Sequence, residues 1–230
     1  DGIDKVNHSY GKNWALEKKE DRRALAWLIC KGLRPRGTHT GTPCTNMCLL
    51  GSGKDAAETP FLVNLSRMIA QHQNRSGWLA SNENPVGSSL HQRPEWVKEF
   101  GTVDNPKLEW RYTRTTGCQF GLICPGEVTV GSNTSGMRVL GRPIQKQQEW
   151  VSNFDLSPMS KACKEAKALM SSTHVHQHAR GSMRMPDGRW AAIAEYSGKY
   201  PAAMGTVYGC CLAKGLTERF PLEERPSEGK

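Results

Sequence analysis

Long apolar runs are missing from this chain. The longest, Ala24–Cys30, is far shorter than the ~18 residues a membrane-spanning helix needs, so no membrane span is expected. The cysteines lack any repeated CxxC spacing, which weighs against a zinc ribbon. Gly51-Ser52-Gly53-Lys54 lacks what a phosphate loop requires. Cys48 stands where its first glycine belongs, and Asp55 follows the lysine where a metal-binding hydroxyl belongs. Carboxylates are absent from Ala166 to Pro186. No internal repeat, long low-complexity run or signal-peptide pattern is visible. The chain opens on Asp1 without a methionine, so it reads as a processed or trimmed product.

What the chain has is positive charge. Lys and Arg number 31 against 22 Asp and Glu, a formal net charge of +9 and a pI of about 9.2. That balance favours an anionic partner: nucleic acid, an acidic membrane surface or an acidic protein. Hydrophobic residues make up 37% and mean hydropathy is -0.60, a polar composition. At 230 residues the chain is long enough to bury one large core or two small ones. Seven tryptophans exclude disorder throughout.

Eight cysteines, at positions 30, 44, 48, 118, 124, 163, 210 and 211, are an even number. Cys30 and Cys163 fall on apolar helical faces, where a free thiol acts as a small hydrophobe. Free thiols point to the cytoplasm, the nucleus or a virion. Cysteine parity and sequons at Asn7, Asn64, Asn74 and Asn133 keep a secreted, disulfide-bonded glycoprotein as an alternative.

Periodicity and end signals predict mostly helices. They are expected over 13–31, 59–74, 94–100, 144–153, 157–170, 190–196 and 202–214. Residues 32–54 and 75–94 read as loops rich in turn formers. The strand signals are Lys107–Thr115, Cys118–Ile123 and Glu127–Val130. The expected fold is therefore mainly α, with a small antiparallel sheet or hairpin near 107–130; α+β is the alternative. Residues 1–12 form an expected flexible arm and 215–230 a charged tail. Residues 13–214 form one helical domain, with 101–106 the place where it would divide into two lobes.

The functional candidates are cations beside aromatics. Lys18, Lys19, Arg22 and Arg23 cluster on one side of the first helix, where like charges repel unless an anion relieves them. Trp110 and Tyr112, with Arg111 and Arg114, would make a stacking platform for unpaired bases. Packing of that aromatic face against helices is the competing expectation. Lys161, Lys164 and Lys167 line one edge of the 157–170 helix. Arg180, Arg184 and Arg189 follow in the acid-free stretch and beyond it.

His174, His176 and His178 alternate, so an extended backbone projects all three from one face. Gln177 and Arg180 stand where the nucleotide-handling histidine-triad pattern wants apolar residues. Three metal ligands from one strand would be cramped, and no nearby carboxylate or thiol completes the set. These histidines are taken first as phosphate contacts and, in the alternative, as metal ligands.

The sum is a nucleic-acid-binding protein, acting on single-stranded RNA with little sequence specificity. Self-association in a nucleocapsid- or coat-like packaging role would fit its long loops. No catalytic residue and no cofactor is assigned. A histidine-dependent hydrolase or transferase acting on a nucleotide is the alternative from another class.

Overall fold

The structure, a computed structural model, describes residues 16, 18–42, 59–132, 134–161, 163 and 175–221. The arm over 1–12, Lys164, Lys167, His174 and most of the tail lie outside these residues. The chain divides into two compact units. One comprises Asp1–Arg111, Val151–Phe154 and Lys214–Lys230; the other comprises Tyr112–Trp150 and Asp155–Ala213.

The first unit is built on a β-α-β crossover. Strands β1 (Gly37–Gly41) and β2 (Leu79–Pro85) run parallel, with Thr40 opposite Asn82. Parallel neighbours need a long connection, and helix α2 (Thr59–Arg75) lies on it. Val63, Ala70 and Gln73 of α2 are buried, as are Leu65 and Ile69, which pack on Leu25 of helix α1 (Lys19–Trp27). A π-helical turn, Leu28–Leu33, extends α1, and Arg34 ends it at φ 46°.

Next comes helix α3 (Pro94–Phe100). Pro94 sits in its first turn, where the missing N–H costs nothing. Gly101 follows it at φ 76°, and a Cβ there would lie 2.4 Å from the Asn105 carbonyl oxygen. Only glycine fits. Trp96 and Phe100 are fully buried, with their rings tilted by 44° and centred 4.2 Å apart; the Trp110 ring meets Phe100 edge-on at 4.7 Å.

The second unit holds several short strands around one core. Strands β4 (Thr129–Val130), β8 (Ser182–Arg184) and β9 (Trp190–Ala192) form an antiparallel sheet in the order β4-β8-β9. Strands β5 (Ile144–Gln145) and β7 (Gln177–His178) pair in parallel. Leu122, Cys124, Val139, Ile144, Met183 and Ile193 are the buried cluster beneath them. Gly181 lies at φ 80°, with its Cβ position 2.3 Å from the Val130 carbonyl oxygen, so β4 and β8 approach there only because no side chain intervenes. Strands β3 (Arg111–Thr116) and β6 (Gln147–Ser152) complete a four-stranded sheet in the order β1-β2-β6-β3. Helices α4 (Ile193–Tyr196) and α5 (Ala202–Arg219) follow.

This is an α+β fold with a four-stranded mixed sheet and two smaller ones, which corrects the expectation of a mainly α chain with one small hairpin near 107–130. Two of the misassigned segments share a cause: polar strands buried by their neighbours do not alternate. In β2 residues Leu79 to Asn84 are all buried, and in β6 residues Gln148 to Ser152 are all buried. Without alternation, 75–94 read as loop and 144–153 as helix. The 118–123 strand is instead a 3-10 turn, Gly117–Phe120. Residues 157–159 form a 3-10 turn, and the rest of the expected 157–170 helix lies largely outside the described residues. The 190–196 helix is strand β9 followed by α4.

Trp110 and Leu108 sit two residues apart and differ completely: Trp110 is 3% exposed and Leu108 fully exposed. Trp110→Ala is expected to destabilise the protein by about 3–5 kcal/mol, read as a lower urea midpoint. Leu108→Ala should leave that midpoint in place. Equal effects would contradict the aromatic cluster.

Candidate functional site

Several expected contacts turn out to be structural. On α1, Lys18, Lys19 and Arg23 are exposed, but Arg22 donates from Nη1 to the Leu16 carbonyl at 2.8 Å and stacks over Phe61 at 4.6 Å. Trp110 is buried against Phe100, which ends its candidacy as a base-stacking platform. Arg111 is exposed and Tyr112 half-buried. Arg114 donates from Nε to Glu149 at 2.6 Å, and that carboxylate is 5% exposed. Lys161 rests its ammonium 4.7 Å from the Phe120 ring centre.

The histidine stretch separates. His178 is exposed at the end of β7. His176, just before β7, points its Nε2 at Cys118 Sγ, 3.3 Å away. Cys163 joins them: one donor atom from each of Cys118, Cys163 and His176 lies within 4.8 Å of the others. Three separate backbone anchors hold this trio. Gly117 N–H donates to the Lys146 carbonyl at 2.8 Å and places Cys118. Thr116 N–H donates to the Lys161 carbonyl at 3.0 Å and brings in the segment carrying Cys163. Gln177 N–H donates to the Pro143 carbonyl at 2.8 Å and fixes the approach of His176.

Cys118 is half-buried and Cys163 buried. Burial, then the neighbouring Cys163 thiol, pushes the Cys118 thiol up to about 11. An activated cysteine nucleophile needs its pKa lowered, so the Cys118–His176 contact is a poor thiol–imidazole catalytic pair. Among the described residues, no carboxylate belongs to the cluster. The residue types are those that bind soft or borderline metals: thiol sulfur and imidazole nitrogen.

A second feature is the open face of the β4-β8-β9 sheet. Arg184 stands directly opposite Trp190 across β8 and β9, and opposed residues project to the same face. On its other side Arg184 N–H donates to the Val128 carbonyl at 3.0 Å, and Val128 bridges to Arg138. Arg138 and Arg184 are exposed, and Trp190 is 53% exposed. The neighbouring row, Thr129 opposite Met183, is wholly buried, so the alternation assigns cations and indole to solvent. Val130, 47% exposed, continues the outer face. Glu127 is an exposed carboxylate on the same segment. Arg180 is exposed close by in sequence, whereas Arg189 is held by Asp187 at 2.7 Å; that ion pair keeps the Asp187 carboxyl below its ordinary range.

No protein-family model matches this chain, and neither a curated protein nor a solved structure does.

Sequence reasoning singled out His176, Arg184 and Arg189 but missed Cys118, Cys163, Arg138 and Trp190. Only the histidine carried a local signal for the trio, because its partners lie far off in sequence. The polar end of the crossover was missed too. There Asn82 donates to Thr40 and Thr42 hydroxyls at 2.8 and 2.9 Å, and Thr42 to Ser66 at 2.9 Å. The Oδ1 atoms of Asn82 and Asn84 are buried and unpartnered among the described residues.

The role assigned to Arg114 is open to test. Arg114→Ala leaves the Glu149 carboxylate without its guanidinium. Since Arg114 is 58% exposed, solvent screening cuts the loss to about 1–2 kcal/mol. Urea unfolding measures it, and a stability unchanged in Arg114→Ala would free Arg114 for an external anion.

Proposed function

We propose that this protein binds single-stranded nucleic acid, RNA in the first instance, on the exposed face of the β4-β8-β9 sheet. The observation that supports this is the Arg184–Trp190 cross-strand pair, with Arg138 reached through Val128. An exposed indole offers a surface on which any base stacks. Guanidinium groups to one side of it, first Arg184 and then Arg138 beyond Val128, supply phosphate neutralisation, and they bind phosphate oxygens in pairs where a lysine offers only a point charge. The chain's net charge of +9 adds long-range attraction for a polyanion. Nothing in this arrangement reads base edges, so recognition is by stacking and charge with little sequence preference. An unpaired strand is favoured over a duplex because only unpaired bases expose their rings to an indole.

Anisotropy of a labelled single-stranded oligonucleotide tests this. Trp190→Ala should weaken binding by about 10-fold or more, the worth of one stacked base. Arg138→Ala and Arg184→Ala should each flatten the dependence of log K on log salt by about 0.7, the contribution of one phosphate on a single strand. RNA and DNA strands of one sequence, and the corresponding duplex, form the comparison arms. Trp190→Ala that folds normally and binds unchanged would remove this face from the function.

A further inference from the structure

We propose that Cys118, Cys163 and His176 form a zinc site that ties together three segments of the second unit. This stands apart from strand binding and uses none of its residues. The donor set is two sulfurs and one imidazole nitrogen, ligands that zinc accepts in tetrahedral coordination. The spacing fits as well. Zinc bonds of about 2.3 Å to sulfur and about 2.0 Å to nitrogen, at a tetrahedral angle, hold the two donors roughly 3.5 Å apart. His176 Nε2 and Cys118 Sγ are 3.3 Å apart, and all three donors lie within 4.8 Å. The closure therefore requires only small side-chain adjustments.

Position is determined before any ion arrives. Cys118 sits in the 3-10 turn Gly117–Phe120, anchored through Gly117 to Lys146. The approach to Cys163 is anchored twice, by Thr116 N–H to the Lys161 carbonyl and by the Thr115 hydroxyl to the Met159 carbonyl, both at 3.0 Å. His176 enters from the β5–β7 pair, and the buried Gln177 beside it bonds Thr134. Binding through Nε2 places the remaining imidazole proton on Nδ1. When the ion binds, each thiol gives its proton to solvent and the ion's charge is offset by two thiolates. Three protein ligands among the described residues leave a fourth position for water or another donor. The site's contribution is a cross-link between segments that short strands alone hold weakly.

The full chain, purified anaerobically without chelator, provides the test. Elemental analysis should find about one zinc per chain, released by a chromogenic chelator. Cobalt loaded in its place should give a thiolate-to-metal charge-transfer band and the intense visible bands of a tetrahedral ion. Alkylation with peptide mapping should show Cys118 and Cys163 protected by metal, while exposed Cys210 reacts. Removing zinc should raise the unfolding constant by about tenfold or more. Cys118→Ser should lose much of the charge-transfer intensity; if it fails to fold, the mapping on the unaltered chain still decides. Absence of metal and of the cobalt band after loading, protection of a different set of cysteines, or a Cys118–Cys163 disulfide in the anaerobic protein would each overturn the assignment.

Discussion

Buried side-chain hydrogen bonds tie this chain's strands to one another and to α2. With 37% hydrophobic residues, apolar burial is limited, and polar groups fill much of the interior. Asn153 alone bonds Ala80 N–H, the Trp78 carbonyl and Asn74. Asn82, Thr40, Thr42 and Ser66 form a connected set between β1, β2 and α2. In the second unit Thr129, Thr134 and Gln177 do the same beside two-residue strands. Each such group left without its partner costs about 1–3 kcal/mol, so these contacts specify register as well as supporting it.

The candidate sites rest on other contacts as well. The second unit's strands are too short to define a surface through length. Glycine at Gly181 lets β4 and β8 approach, and the buried row of Thr129 and Met183 forces Arg184 and Trp190 outward. The thiol–imidazole trio depends on backbone bonds around Gly117, Lys161 and Gln177.

The parts of the fold legible from the sequence were those with strong local signals. Pro94 opening α3 and the periodic apolar positions of α2 marked helices where they stand. Strands β2 and β6 were illegible because burial on both faces erases period-two alternation, and asparagine, serine and glutamate inside them imitate a loop or a helix. Among site residues, His176 and Arg184 stood out because their neighbourhood is rich in base and free of acid. For Trp110 the flanking arginines suggested an open platform and the aromatic face a packed one; its ring completes a core with Phe100.

The sequence alone determined the excess of cations, the absence of a long apolar run and the several helices whose end signals are local. These follow from composition and from contacts a few residues apart. Only the tertiary structure decided that Trp190 rather than Trp110 meets solvent, and that His176 lies beside Cys118 and Cys163. Those outcomes depend on strand pairing and on backbone hydrogen bonds between distant segments, and no local pattern of residues encodes which partner a buried polar group will find.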